Sequence, residues 1–146
     1  MLLPKEFTIF YTDDDEDDIE FFCEVAGEVN NTANIHTYPS GLKLLAALEN
    51  PPPAPSMLFL DLNMPGLTGF DVLTKLRASD SFKKLPIVIF STSHDEQSIA
   101  LSKELGASYY VPKSSNFSTL KESIAHAMRI DWKTFNATEE NFVYSA

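Results

Sequence analysis

The sequence predicts an α/β fold, a doubly wound parallel sheet of five strands with five helices. Short apolar stretches of strand length alternate five times with stretches whose apolar residues recur at helical spacing. Two of the apolar stretches show no polar alternation, which is typical of parallel strands that are covered on both faces. At 146 residues, the chain is long enough for one domain of this kind.

Each predicted strand is a short apolar run that is followed by a polar residue or a proline. The five ranges are Phe7 to Thr12, Ile35 to Tyr38, Met57 to Leu60, Ile87 to Phe90 and Tyr109 to Val111. A strand, a helix and a second strand in regular succession favour right-handed crossovers and parallel pairing.

The predicted helices rest on apolar spacing and on capping residues. One apolar face of the first helix is formed by Ile19, Phe22, Cys23 and Ala26, at positions i, i+3, i+4 and i+7. Ser40 is predicted to cap the second helix. Ser93 and Glu96 form a capping-box pattern for the fourth helix, which we expect to end near Gly106.

Composition limits the possible functions. The formal charge of −10 argues against direct contact with a nucleic-acid backbone. No stretch approaches the ~20 apolar residues of a membrane helix, and the first residues lack the pattern of a secretory signal. Cys23 is the only cysteine, which excludes an internal disulfide. We therefore expect a cytoplasmic domain with no direct nucleic-acid contact and no membrane insertion.

Charged or hydroxyl side chains follow four of the five predicted strands. In chain order they are Asp13 and Asp14, then Asp61, Ser91 and Lys113. Ligands of open parallel sheets bind beyond the carboxyl ends of the strands, so we expect these groups to converge. Three carboxylates at one edge repel each other and must take up protons or bind a cation. Oxygen ligands without His or Cys suit Mg²⁺.

An aspartate in such a pocket has a specific chemical use. Asp is a covalent acceptor of phosphoryl groups, and phosphoryl transfer mainly needs positioning and neutralisation of charge. Mg²⁺, the Lys113 ammonium and the Ser91 hydroxyl would supply that neutralisation from three sides. The residues thus predict an acidic metal pocket that accepts phosphate on one aspartate.

Four sequence strings resemble the motifs of response-regulator receiver domains. They are FYTDDDEDD, LFLDLNMPGLTGFDVL, LPIVIFSTS and LGASYYVPKS, in the order and spacing of that family over residues 5–130. The resemblance implies a flavodoxin-like fold with strand order 2-1-3-4-5. It also implies a receiver domain over residues 1–130 and a C-terminal extension over residues 131–146.

The resemblance implies a stand-alone switch of two-component signalling, of the chemotaxis type. A histidine kinase or a histidine phosphotransfer protein would donate a phosphoryl group to Asp61. The output would be a phosphorylation-dependent contact with a downstream protein, made by the face around the fourth helix, fifth strand and fifth helix. Such a protein is not an enzyme beyond its self-phosphorylation and autodephosphorylation at Asp61.

The resemblance also implies the role of each site residue. Asp61 is the phosphoacceptor, and Lys113 and Ser91 complete the catalytic set. The implied Mg²⁺ ligands are Asp13, Asp14, Asp61 and the backbone carbonyl of Asn63, with Asp14 the direct one of the acidic pair. The switch residues are Ser91 and Tyr110. One position departs from the family, because Ser114 stands where a proline follows the lysine, and we expect a trans Lys113–Ser114 bond.

Two other functions stay open at this point. A haloacid-dehalogenase-like aspartyl-phosphate phosphatase also uses an Asp nucleophile with Mg²⁺. That class needs a second Asp two residues on, where this chain has Asn63, and it places the nucleophile on the first strand. A degenerate receiver that serves only as a scaffold is the other alternative, and the complete set of pocket residues speaks against it.

Two segments have simpler interpretations. Asp17 and Asp18 are interpreted as solvated charges that stabilise the start of the first helix. Residues 131–146 contain Trp132, Phe135, Phe142 and Tyr144, which is aromatic for a tail. This tail is either a frayed end or a segment that docks on the body of the protein or on a partner.

Overall fold

Five parallel strands form the centre of the molecule. The computed structural model describes residues 7–49, 55–136, 138 and 140–145. The strands are β1 (Thr8–Thr12), β2 (Asn34–Tyr38), β3 (Met57–Leu60), β4 (Ile87–Ser91) and β5 (Tyr109–Pro112). They form one sheet in the order β2-β1-β3-β4-β5, with every pair parallel. The predicted fold class and strand order are confirmed.

A helix follows each strand. The helices are α1 (Glu16–Val29), α2 (Gly41–Glu49), α3 (Gly69–Arg77), α4 (Glu96–Glu104) and α5 (Phe117–Met128). The predicted Ser40 cap of α2 is present, since the Ser40 hydroxyl accepts the amide of Lys43 at 3.2 Å. Among the residues described, no helix has the length and apolar character to span a bilayer.

The predicted capping box at the start of α4 is wrong. Asp95 caps this helix instead, through its carboxylate, which accepts the amide of Ser98 at 3.0 Å. The Ser93 hydroxyl accepts the side-chain amide of Asn63 at 2.9 Å instead of an amide of the helix. The cap therefore lies two residues after its predicted position.

The sheet separates two apolar clusters. Alternate residues of β3 enter opposite clusters, with Leu58 and Leu60 on one face and Met57 and Phe59 on the other. The first cluster includes residues of α2 and α3, and the second includes residues of α1 and α5. All four β3 residues are buried, as the uninterrupted apolar run predicts for a central parallel strand.

Backbone hydrogen bonds hold the carboxyl ends of neighbouring strands side by side. The Asp61 amide donates to the carbonyl of Thr12 at 3.0 Å, and the Lys113 amide donates to the carbonyl of Ser91 at 2.7 Å. These bonds bring the residues after β1 and β3, and those after β4 and β5, to one edge. The sheet thereby positions the polar residues that the sequence analysis places at the strand ends.

Gly69 allows α3 to start directly against the loop that follows β3. A Cβ atom at this position would lie 2.4 Å from the Asp61 carbonyl oxygen and 2.7 Å from the Leu62 Cα atom. Both neighbours are backbone atoms that follow a central strand, so they cannot give way cheaply. The close approach of α3 to the strand end depends on the missing side chain.

We expect Gly69→Ala to lower the free energy of unfolding by about 1–3 kcal/mol, the usual cost of overpacking. The matched control is Gly27→Ala in α1, where nothing lies within 4 Å of an added Cβ. That control should stabilise the protein by roughly 0.5–1 kcal/mol because alanine loses less entropy in a helix. Urea denaturation of both variants measures the difference, and equal midpoints would contradict the packing assignment.

Candidate functional site

Three carboxylates meet at the carboxyl edge of the sheet. Asp13, Asp14 and Asp61 each place one oxygen within 4.8 Å of the other two. Asp13 and Asp61 are buried, at 0% and 4% exposure, whereas Asp14 is exposed. The convergence that the strand ends predict is therefore present, with one carboxylate open to solvent.

Lys113 supplies the positive charge that contacts these carboxylates. Its ammonium Nζ lies 2.5 Å from Asp13 Oδ2 and 3.9 Å from Asp61 Oδ2. The side chain is only 8% exposed, and its ammonium stands 5.3 Å from the centre of the Phe90 ring. Burial by itself would lower the pKa of Lys113, but its carboxylate partners raise it above the ordinary value, so the side chain stays charged.

Asp18 is a partner of Lys113, which corrects its interpretation as a solvated helix charge. Asp18 Oδ2 lies 2.9 Å from Lys113 Nζ. The residue sits in the first turn of α1, and Asp15 caps that helix by accepting the amides of Asp17 and Asp18. This cap holds the first turn beside the strand edge, so that Asp18 reaches the lysine. Asp17 is exposed, as expected of a solvated charge.

Tyr11 is a site residue that the sequence analysis does not single out. Its hydroxyl donates a short hydrogen bond to Asp13 Oδ2, the oxygen that Lys113 also contacts. The other oxygen of Asp13 accepts the amide of Asp15 at 3.0 Å. The period of two along β1 is a signal for this contact, because residues 11 and 13 face the same side of the sheet. Burial, with the Asp13 charge, raises the pKa of Tyr11, which keeps it protonated and able to donate.

Burial changes the acidity of Asp61. Loss of solvent raises the pKa of Asp61 to about 7, with Lys113 opposing the rise and Asp13 adding to it. The backbone amide of Asn63 donates to Asp61 Oδ1 at 3.3 Å, which favours the charged form. Without a further cation, the Asp61 carboxylate is thus poised between its protonated and charged forms near neutral pH.

Ser91 connects the carboxylate cluster to the loop after β4. Its hydroxyl is fully buried and accepts the Asn63 side-chain amide and the Ser93 backbone amide, each at 3.2 Å. The Tyr110 hydroxyl donates to the Ser93 carbonyl. Tyr110 is fully buried in the cluster that contains Phe142, while Tyr109 lies in the cluster on the opposite face. The assignment of Tyr110 rather than Tyr109 to the switch stays a prediction, and this contact agrees with it.

The chemistry of the donor set fits a divalent cation. The converging groups are carboxylates, and a backbone carbonyl such as that of Asn63 would add a hard oxygen of the same kind. Asp13, Asp18 and Asp61 share the Lys113 ammonium, and Asp14 adds a carboxylate beside Asp13 and Asp61, so negative charge is in excess. One ammonium cannot neutralise this edge of the sheet, whereas an added divalent cation would.

Comparisons with known proteins match the chain to one family. A family model described as response regulator receiver domain matches residues 9–125. Response regulator Rcp1 of Synechocystis sp. is 37% identical over 68 residues, which are 47% of this chain and 46% of that protein. Across the first three curated relatives the match spans between a third and about half of their length.

Solved structures extend the similarity over most of the chain. The Mn²⁺-bound form of response regulator Rcp1 superposes with a TM-score of 0.79 at 27% identity, covering 90% of this chain and 99% of that one. The phosphorylated cyanobacterial phytochrome response regulator RcpA gives a TM-score of 0.80 at 27% identity, covering 88% of this chain and 95% of that one.

We expect the affinity for Mg²⁺ to fall as the pH is lowered below about 7, because the Asp61 carboxyl must lose its proton before it can bind a cation. One linked proton weakens binding by about tenfold per pH unit. Calorimetric titrations between about pH 5 and pH 7 avoid the range where ordinary carboxylates titrate. The control is Asp61→Asn, whose affinity should change less with pH. The same pH dependence in both proteins would contradict the assignment.

Proposed function

The chain belongs to the response regulator receiver family, and we propose that it accepts a phosphoryl group on Asp61 in the presence of Mg²⁺. The family match over residues 9–125 supports this proposal. The observation that carries it is the placement of Asp61, which is buried beside two carboxylates and 3.9 Å from the Lys113 ammonium. We propose that the receiver domain ends near residue 130 and that residues 131–146 are an extension.

The donor would be a phosphohistidine of a histidine kinase or a histidine phosphotransfer protein. In the transfer, an Asp61 carboxylate oxygen attacks phosphorus, the nitrogen–phosphorus bond breaks, and the imidazole leaves with the bonding electrons and takes a proton. The product is an acyl phosphate on Asp61. Water later attacks the same phosphorus, which releases inorganic phosphate and restores the carboxylate.

Asp13, Asp14, Asp61 and the backbone carbonyl of Asn63 would hold the Mg²⁺ ion. Bound there, the ion would neutralise the carboxylates and the phosphoryl oxygens that approach them. The Mn²⁺-bound structure of the similar protein Rcp1 supports a divalent ion in this family. Asp14 is the exposed member of the cluster, so an ion that arrives from solvent can reach its carboxylate directly.

Lys113 and Ser91 would bind the phosphoryl oxygens. Lys113 contacts Asp13 and Asp18 more closely than Asp61, so its ammonium must shift toward Asp61 when a phosphoryl group arrives there. Ser91 accepts both of its hydrogen bonds from Asn63 and Ser93, and its own O–H proton is the group it would offer. Lys113 would thus exchange an existing carboxylate partner for a phosphoryl oxygen, whereas Ser91 would turn its O–H toward one.

The output would be a contact with a downstream protein at the face of α4, β5 and α5. Ser91 and Tyr110 would report the phosphoryl group to this face, since both are tied to Ser93. The phosphatase alternative gains no support. Asn63 has no acid to offer at the position where that class needs one, and its amide is engaged with Ser91 and Ser93.

With acetyl phosphate and Mg²⁺, we expect one hydroxylamine-labile phosphate per chain, and Asp61→Asn should reduce labelling to background. The amide has the shape of the carboxylate but is not a nucleophile toward phosphorus. The matched control is Asp80→Asn, because Asp80 has a 99% exposed side chain remote in sequence from the cluster. Intact-protein mass spectrometry with a hydroxylamine treatment measures the label.

Equal labelling of the Asp61→Asn variant and the Asp80→Asn control would refute the acceptor assignment. Turnover of a generic phosphate ester such as p-nitrophenyl phosphate would favour a phosphatase instead.

Removal of Mg²⁺ with a chelator should abolish labelling of the natural chain. Asp14→Ala should weaken Mg²⁺ binding by about tenfold, equal to roughly 1.4 kcal/mol, and by more than Asp61→Ser does. The reason is that the Lys113 ammonium, at 3.9 Å, already offsets part of the Asp61 charge, whereas the Asp14 carboxylate is exposed and open to the ion. Calorimetry at pH 8 compares the variants, and the reverse order would show that the ligand roles are wrong.

A further inference from the structure

The C-terminal segment Phe142–Tyr144 lies along the outer edge of β5. The Tyr110 amide donates to the carbonyl of Phe142 at 2.9 Å, and the Tyr144 amide donates to the carbonyl of Tyr110 at 2.8 Å. Tyr110 and Val143 form a parallel bridge. The tail therefore adds a short strand to the sheet, on the side of β5 that does not pair with β4. Residues 142–144 are thus docked on the body of the protein and are not a frayed end.

Side chains of the same segment pack on both faces of the sheet beside β5. Phe142 is 1% exposed and lies in the apolar cluster of Tyr110, with ring centres 6.3 Å apart. Ile99 of α4 packs against this cluster. The Tyr144 ring lies 5.4 Å from the ring of His126 in α5. The tail thus covers parts of α4, β5 and α5, the face that we propose as the output surface.

One residue joins this tail to the acceptor site. Tyr110 holds the tail with its backbone, while its hydroxyl donates to the Ser93 carbonyl. Ser93 is bonded to Ser91 and to the side chain of Asn63, and the Asn63 amide donates to Asp61. Hydrogen bonds and short backbone links therefore run without interruption from Asp61 to the tail strand.

We propose that residues 142–144 are an intramolecular ligand of the output face, docked on β5 while Asp61 is unmodified and released when Asp61 carries a phosphoryl group. This inference rests on the proposed phosphorylation of Asp61. When Ser91 donates its O–H to a phosphoryl oxygen, its hydroxyl is drawn toward Asp61, and the bonds that it accepts from Asn63 and Ser93 lengthen. The loop that carries Ser93 leads into α4, so a shift of this loop disturbs the packing of Ile99 against the cluster that holds Phe142, and the docking of the tail weakens.

Release would expose two features that a partner needs. The first is the backbone of the β5 edge, which pairs with any extended segment through the bonds that the tail now makes. The second is the part of the apolar cluster that Phe142 covers beside α4, against which Ile99 packs. An output partner with an extended segment and one large apolar side chain fits both, and it would compete with the tail for them.

Amide hydrogen exchange of the full-length protein tests this inference. Beryllium fluoride with Mg²⁺ serves as a stable mimic of the phosphoryl group, and fluorine NMR verifies that it is bound. We expect exchange at Tyr110 and Tyr144 to accelerate by about 5- to 150-fold, the usual range of coupling between two sites. The amide of Leu58, bonded to the Pro86 carbonyl at 2.9 Å in the sheet interior, is the internal control and should not change.

A pair of variants in the tail tests the coupling by its effect on binding at the acceptor site. Tyr144→Pro removes the N–H that bonds to Tyr110, whereas Tyr144→Ala removes the same ring and keeps this donor. Because coupling is reciprocal, Tyr144→Pro should bind beryllium fluoride more tightly than Tyr144→Ala. Neither change removes a side chain of the acceptor site.

The outcomes separate this inference from the proposed function. Bound beryllium fluoride with unchanged or slower exchange at Tyr110 and Tyr144 would overturn the inference and leave the phosphoacceptor role intact. Equal affinities of the two Tyr144 variants would overturn it as well. If neither beryllium fluoride nor acetyl phosphate modifies Asp61, the proposed function fails and the inference fails with it.

Discussion

Two buried carboxylates share one ammonium group at the carboxyl edge of the sheet, and the surrounding structure serves to hold this arrangement. Buried charges are costly unless they are paired and hydrogen-bonded. Asp13 meets that requirement through Lys113, the hydroxyl of Tyr11 and the amide of Asp15. Asp61 is less well compensated, because its contact with the Lys113 ammonium is 3.9 Å long, and this shortage of positive charge suits the acceptor role that we propose for it.

The arrangement of Lys113 shows how such a site can change state. The ammonium has carboxylate partners after β1, on α1 and after β3, at different distances. A new negative charge on Asp61 would alter the balance among these partners without moving the sheet. Because Lys113 is tied by its backbone amide to Ser91, the adjustment falls on side chains and on the loops after β4 and β5.

The tail gives the edge strand β5 a covering that this fold would otherwise lack. An exposed edge presents unpaired N–H and C=O groups that invite pairing with other chains. Here Tyr110 has both of its outward backbone groups bonded to the tail. The same short strand therefore protects the edge and covers part of the surface that we propose for the output contact.

Much of the fold follows from local sequence patterns. The five strands appear within one or two residues of their predicted bounds, because uninterrupted apolar runs and helical spacing express burial directly. The strand-end positions of Asp13, Asp14, Asp61, Ser91 and Lys113 follow from the same patterns, since parallel strands share one carboxyl edge. The preference of the pocket for Mg²⁺ is predicted from its oxygen ligands. The role of each residue is implied by the resemblance to receiver domains.

The order of the elements and the polar residues that reach one edge of the sheet can thus be predicted from the sequence alone. Which of those residues pair depends on the folded arrangement of the chain. Lys113 and Asp18 are 95 residues apart, and Asn63 and Ser93 are 30 apart. The docking of Phe142 on β5 likewise depends on α4 and β5 being in place. Such contacts join residues that lie far apart in the sequence, so no local spacing can specify them.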